Sequence, residues 1–200
     1  MTLVAHNEAL IKMLQVKNSK YQVQQSLYNR PRTINRQLDL DSVQIPRFIR
    51  TAFGELSQRP AQEGIFRMSP PSEPQQELNK QIDLHFYVDP APLETDQICS
   101  LIKYFYRKLT IPLLPKNVCK QLREHAQNPM LMKTDLVFLK PSYFENLVFL
   151  LKKLNGIAKV PEYRMDAKNL GVCFAPNLFE DFAFGDEKIL QQLIVLVENM

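Results

Sequence analysis

The hydrophobic positions of this chain recur with helical spacing from about residue 38 onward. The first clear stripe repeats every three or four residues, which places its members on one face of a helix: Ile45, Ile49, Phe53 and Leu56. Pro46 suits the first turn of this helix, and Pro60 ends it because proline has no N–H to donate. The pattern therefore predicts an amphipathic helix just before the loop that follows Pro60.

The same periodicity predicts further helices along the rest of the chain. We expect them around Leu78 and Ile82, from a cap at Thr95 or Asp96 to about Leu109, at 117–126, at 134–139, at 141–158, at 167–174 between Asp166 and Pro176, and from Phe184-Gly185-Asp186 onward. No stretch alternates as a strand does, and 14 prolines against five glycines fall mostly between the helical segments. The predicted fold class is all-α, an irregular bundle of about eight or nine helices.

The first 37 residues differ from the rest. Leu10, Ile11 and Leu14 indicate one short amphipathic helix, and the remainder is polar and basic. We interpret residues 1–37 as an arm or linker and residues 38–200 as a single domain. Because the sequence stops at Met200 inside a helical pattern, we expect the chain to be part of a longer protein.

Composition narrows the function without defining it. The chain is 45% hydrophobic and 23% charged, enough to bury a core, and its net charge of +4 is too small to indicate nucleic-acid binding. Three widely spaced cysteines match neither a disulfide framework nor a zinc site, and the three histidines have no companion ligands, so we expect no metal. With no signal peptide and no long apolar run, we expect a cytoplasmic protein. Any recruitment to membranes is expected to come from other domains.

Several catalytic motifs are absent from the sequence. It contains no G-x-x-x-x-G-K-[ST] or G-x-G-x-x-G loop to hold phosphates, no G-x-S-x-G elbow, no H-E-x-x-H and no kinase signature. A self-contained hydrolase is therefore the least favoured reading. If the protein takes part in catalysis, we expect it to add a group to the active site of another protein.

The segment Glu63-Gly64-Ile65-Phe66-Arg67-Met68-Ser69 offers such a group. It lies between helical patterns, and Ile65 and Phe66 can bury and fix the loop, which leaves Arg67 pointing outward. Arginine carries a permanently charged planar fork of N–H donors that suits phosphate oxygens. The ordinary alternative is a solvated surface arginine.

Two further segments carry candidate polar groups. Lys103 and Arg107, in LIKYFYRKLTIPLLP, are four residues apart and share a helix face, where they can reach backbone carbonyls or an acidic partner. The alternative is that their stems cover apolar neighbours while their charges stay in water. In MDAKNLGVCFAPNL, a helix stopped by Pro176 is expected to present Asn177 at an exposed turn, where asparagine either satisfies the backbone or bonds a partner.

These three segments, together with IPRFIRTAFGEL, resemble the GTPase-activating domain of Rho-family GTPase activators over residues 38–200. The resemblance implies an all-helical fold, with Arg67 as the arginine finger inserted into a GTPase. It implies that Lys103 and Arg107 brace the finger loop and contact the GTPase, and that Asn177 contacts the GTPase near its switch regions. The expected partner is a GTP-bound Rho, Rac or Cdc42-type protein. No cofactor is expected, since GTP and Mg²⁺ belong to that partner, and the domain is an activator rather than a complete enzyme.

The chain departs from the family pattern at a few positions. Pro70-Pro71 follows Ser69 where Gly or Ala is usual, Lys108 replaces a glutamate, Thr110-Ile111 replaces Pro-Glu, and Ala175 replaces a glycine. The two prolines stiffen the exit of the finger loop. They therefore keep open a second reading, a silent module that binds a GTPase or another protein without activating it. A third reading is a helical adaptor for acidic lipid.

Overall fold

The computed structural model describes residues 44–199, and this part of the chain forms eight α-helices. They are α1 (Arg47–Gln58), α2 (Ser72–His85), α3 (Thr95–Arg107), α4 (Lys116–Glu124), α5 (Pro129–Asp135), α6 (Pro141–Ala158), α7 (Ala167–Leu178) and α8 (Asp186–Leu196). Single 3₁₀ turns lie at Leu136–Phe138, Pro161–Tyr163 and Val197–Asn199. Between residues 44 and 199 no β-strand forms, and one isolated bridge joins Leu114 to Phe179. The all-α prediction is confirmed, whereas the short helix predicted near Leu10 lies outside the described residues.

Helix ends follow local hydrogen-bonding chemistry, and several predicted ends were wrong. The helix predicted at 134–139 instead runs over Pro129–Asp135, before the 3₁₀ turn Leu136–Phe138, and α3 ends at Arg107 rather than near Leu109. Glu94, not Thr95 or Asp96, is the N-cap residue of α3, and its backbone N–H donates to Oε1 of Gln97 at 2.9 Å. Asp166 does cap α7, accepting from the Asn169 N–H at 2.7 Å.

Pro176 does not stop α7, which continues to Leu178. Proline here deprives only the carbonyl four residues earlier of its helical donor. That carbonyl belongs to Val172, which is exposed, so water can replace the missing bond. Asn177 therefore lies inside the last helical turn rather than at an exposed turn after it.

The helices α7 and α8 make the most extensive packing contact between elements in the described chain. Gly171 permits this contact: a Cβ at this position would lie 2.5 Å from the backbone oxygen of Glu187 on α8. Around α7 the core is lined with aromatic rings, including Phe66 and Phe174. The core thus extends directly beneath the loop between α1 and α2.

Gly171→Ala is expected to lower the free energy of unfolding by about 1–3 kcal/mol, because backbone atoms would have to separate to admit the methyl group. Gly54→Ala is the control, since nothing lies within 4 Å of a Cβ at that helical position. It should stabilise the domain by about 0.5–1 kcal/mol. Urea denaturation followed by circular dichroism measures both. Equal effects of the two substitutions would contradict a special role for close approach at Gly171.

Candidate functional site

The loop between α1 and α2, residues 59–71, is fastened to the core by two side chains. Ile65 and Phe66 are 4% and 1% exposed, as their apolar character predicted. The Phe66 ring centroid lies 4.8 Å from that of Phe174 on α7 and 6.2 Å from that of Phe53 on α1. The loop is therefore held by helices on two sides, and the next residue, Arg67, has a fixed backbone position.

The backbone of this loop adopts unusual conformations. Gly64 and Phe66 both have positive φ angles, 74° and 68°. Glycine takes such an angle without strain, whereas phenylalanine rarely does. The Arg67 N–H closes a tight turn by donating to the Gly64 carbonyl at 2.8 Å. Something outside the loop is needed to hold Phe66 in this conformation.

Lys103 supplies part of that restraint. Its Nζ, on α3, donates a hydrogen bond to the carbonyl oxygen of Phe66 at 2.7 Å. A short bond from a charged donor is stronger than a neutral one. Lys103 thus reaches a backbone carbonyl, as one of the two sequence interpretations expected, and fixes the peptide bond that joins Phe66 to Arg67.

The Arg67 side chain is exposed and makes no hydrogen bond or ion pair with any residue between 44 and 199. Its guanidinium lies beside Gly64: a Cβ on Gly64 would be 3.1 Å from Nη2 and 3.3 Å from Nε. Because Gly64 has no side chain, the guanidinium of Arg67 can lie close to its backbone. Nothing in the described domain neutralises its charge, so Arg67 is available to an anionic partner.

Arg107 is placed differently from Lys103. It is exposed at the end of α3, with Cζ 5.5 Å from the centre of the Tyr104 ring. Within the described residues it forms no hydrogen bond or ion pair, and so no such bond connects it to the Arg67 loop. The structure therefore brings Lys103 to the loop but gives Arg107 no bond through which to brace it.

Asn177 is half-buried and turned partly toward its own helix. Its Nδ2 donates to the Cys173 carbonyl at 3.0 Å, while its Oδ1 accepts no hydrogen bond from the described residues. Burial raises the pKa of the Cys173 thiol, and the positive charges of Lys103 and Arg67 act on the same thiol in the opposite direction. The ring of Phe66, whose carbonyl Lys103 contacts, packs on Phe174, so the Arg67 loop adjoins the C-terminal half of α7.

Pro70 and Pro71 lie at the end of the loop, where α2 begins. Pro71 precedes the first residue of α2, with φ −52° and ψ 140°, which proline adopts readily. The prolines therefore set the start of α2, outside the Gly64–Arg67 turn.

Sequence reasoning missed a further pair of contacts that hold the loop. The Gly64 N–H donates to the Tyr163 carbonyl at 2.8 Å, and Glu63 forms an ion pair with Arg164 at 3.3 Å. Tyr163 and Arg164 lie in the connection between α6 and α7, about a hundred residues from the loop. No local pattern in the sequence indicates this pairing.

Two other features are absent between residues 44 and 199, a metal-binding cluster and a membrane-spanning helix. No group of three or more His, Cys, Asp or Glu side chains is arranged to hold a metal ion. No helix there combines the length and the apolar character needed to cross a membrane.

The helical domain described above matches a known protein family. The sequence model of the RhoGAP domain family matches residues 46–183, and the chain belongs to this family.

Relatives with known names agree with this assignment. The chain is 28% identical over 166 residues to the Rho GTPase-activating protein gacF of Dictyostelium discoideum, covering 77% of this chain and 14% of that protein. It is 29% identical over 147 residues to mouse Rac GTPase-activating protein 1, covering 68% of this chain and 23% of that protein. The chain thus corresponds to less than a quarter of the length of either relative.

Solved structures support the same fold. The BH domain from GRAF, the GTPase regulator associated with focal adhesion kinase, matches with a TM-score of 0.66 at 23% identity, covering 80% of this chain and 94% of that domain. Human Rho GTPase activating protein 15 matches with a TM-score of 0.63 at 21% identity, covering 78% and 81%. At these identities the likeness establishes the fold alone.

Proposed function

We propose that this domain accelerates GTP hydrolysis by a Rho, Rac or Cdc42-type GTPase, with Arg67 as a finger supplied in trans. The observation that carries the proposal is the state of Arg67: it is exposed, unpaired among residues 44–199, and mounted on a loop fixed by buried Phe66 and by Lys103. Membership of the RhoGAP family gives the class of partner.

The proposed mechanism is electrostatic. During phosphoryl transfer, negative charge develops on the phosphate oxygens, and a guanidinium inserted into the water-poor nucleotide site offsets it. Arg67 can do this at small entropic cost because its backbone is already held before docking. The domain contributes no cofactor in this scheme, since the GTP and Mg²⁺ belong to the GTPase.

The other candidate residues are assigned to docking. Arg107 lies one helical turn beyond Lys103 with an exposed charge that can meet acidic groups of the GTPase. The Oδ1 of Asn177 is available to a backbone N–H of a switch loop, while its Nδ2 is already engaged with Cys173. In this assignment Lys103 acts mainly on the maximal rate, and Arg107 and Asn177 act mainly on affinity.

The direct test is phosphate release from several purified Rho-family GTPases loaded with GTP, with and without the domain. We expect acceleration by about 10³-fold or more with at least one GTPase. The competing reading is a silent binding module, which would bind the GTP-bound form of a GTPase without accelerating phosphate release. Binding without acceleration across the whole panel would reject the proposal, and the assay needs no membrane.

A further inference from the structure

The connection between α6 and α7 touches the Arg67 loop at two adjacent points. The carbonyl of Tyr163 accepts the Gly64 N–H at 2.8 Å, and the guanidinium of Arg164 pairs with the carboxylate of Glu63 at 3.3 Å. One contact is made by main chain and the other by side chains, between the same two pairs of consecutive residues. The loop is thus bound by this connection as well as by Lys103.

The connection is itself held in a special conformation. Arg164 lies in the left-handed region, with φ 48° and ψ 37°, directly after the 3₁₀ turn Pro161–Tyr163. Its N–H donates to the Pro161 carbonyl at 3.0 Å, and the Tyr163 N–H donates to the Val160 carbonyl at 3.2 Å. A non-glycine residue takes this conformation at a cost in free energy, so surrounding contacts must maintain it. The ion pair with Glu63 is one such contact.

The same connection leads straight into α7. Met165, the next residue, is 2% exposed, and Asp166 then caps α7 through the Asn169 N–H. Helix α7 carries Phe174, whose ring packs on Phe66, and Asn177. Residues 163–166 therefore join the two parts of the candidate site, the Arg67 loop and α7, through one short segment.

We propose that Glu63 and Arg164 are positioning residues, and that their ion pair holds the Gly64–Tyr163 hydrogen bond closed and so sets the orientation of Arg67. The proposal rests on the function assigned to Arg67 above. The pair is exposed, 55% at Glu63 and 72% at Arg164, so its contribution to global stability is small. Its role is local, because it acts on a loop whose orientation decides where the finger points.

The test swaps the two charges and has two readouts. One is amide hydrogen exchange at Gly64 in the free domain, and the other is phosphate release from a GTPase at a saturating concentration of the domain. Glu63→Arg and Arg164→Glu should each speed exchange at Gly64 and lower the maximal hydrolysis rate by about three- to fivefold. The half-saturating concentration should change by less than about twofold. The double variant, with the charges exchanged, should recover both values to within about twofold.

The control is the same swap of charges between Glu77 and Lys80, an exposed ion pair of 3.4 Å on α2. This pair has no hydrogen bond or ion pair to the loop. That swap of charges should leave both the amide hydrogen exchange at Gly64 and the phosphate release unchanged. Unaltered Gly64 exchange in the single variants, or no recovery in the double variant, would overturn the proposal. The exchange measurement uses no GTPase, so it decides on the pair even if the domain activates none. A wild-type domain without activity would instead count against the proposed function.

Discussion

Replacing Arg67 with alanine is expected to reduce GTP hydrolysis in the complex by about 10³-fold or more, nearly to the intrinsic rate of the GTPase. That factor corresponds to about 4 kcal/mol of transition-state stabilisation. The effect should be large because no other cation lies between Glu63 and Ser69, where the remaining side chains are acidic, apolar or neutral. Binding to the GTP-analogue form should change little, since the finger acts chiefly on charge that develops in the transition state.

Single-turnover phosphate release and a separate binding titration distinguish these two quantities. Arg67→Lys should recover little activity, because an ammonium lacks the planar fork of donors. Arg50→Ala, which removes an exposed arginine of α1, is the matched control and should retain the wild-type rate. A wild-type rate in Arg67→Ala would remove the finger assignment, because the domain would then accelerate hydrolysis without this guanidinium.

The sequence predicted those features that depend on neighbouring residues. Adjacent Ile65 and Phe66 indicated a buried anchor for the loop, and both are buried. The position of Lys103 beside the apolar stripe of α3 left two interpretations open, and the one that allowed a reach to a backbone carbonyl agrees with its bond to Phe66. Each inference used a helical period or a short apolar run, and such patterns are expressed within one element.

Features that depend on tertiary contact were not predictable in the same way. Glu63 and Arg164 are 101 residues apart, and nothing in either local sequence indicates the other. Pro176 was read as a helix end because proline usually is one. In the fold, α7 continues past Pro176 to Leu178, and the carbonyl that loses its helical donor belongs to the exposed residue Val172. The assignment of Arg67, Arg107 and Asn177 to a GTPase interface remains a prediction, because it concerns a second molecule.

Lys103→Met is expected to lower the maximal hydrolysis rate by about ten- to a hundredfold. Methionine keeps the length of the stem but removes the charged donor, and a hydrogen bond to a charged group contributes about 1.5–3 kcal/mol. The Phe66 carbonyl, one residue before the finger, loses its charged hydrogen-bond donor. The positive φ of Phe66 then lacks this restraint. The loop should then sample orientations in which Arg67 points away from the phosphates, and the fraction of productive complexes should fall.

The maximal rate and the half-saturating concentration of domain should be measured together, below the unfolding temperature of each variant. Lys103→Met should act on the maximal rate, whereas Arg107→Ala should act on the half-saturating concentration, because Arg107 has no hydrogen bond or ion pair to the loop within the described residues. Lys120→Met, which removes a lysine that is 77% exposed on α4, should leave both quantities unchanged. If Lys103→Met instead keeps the wild-type maximal rate, the bond to Phe66 serves folding alone, and the orientation of Arg67 must be set by the contacts from the side of Tyr163.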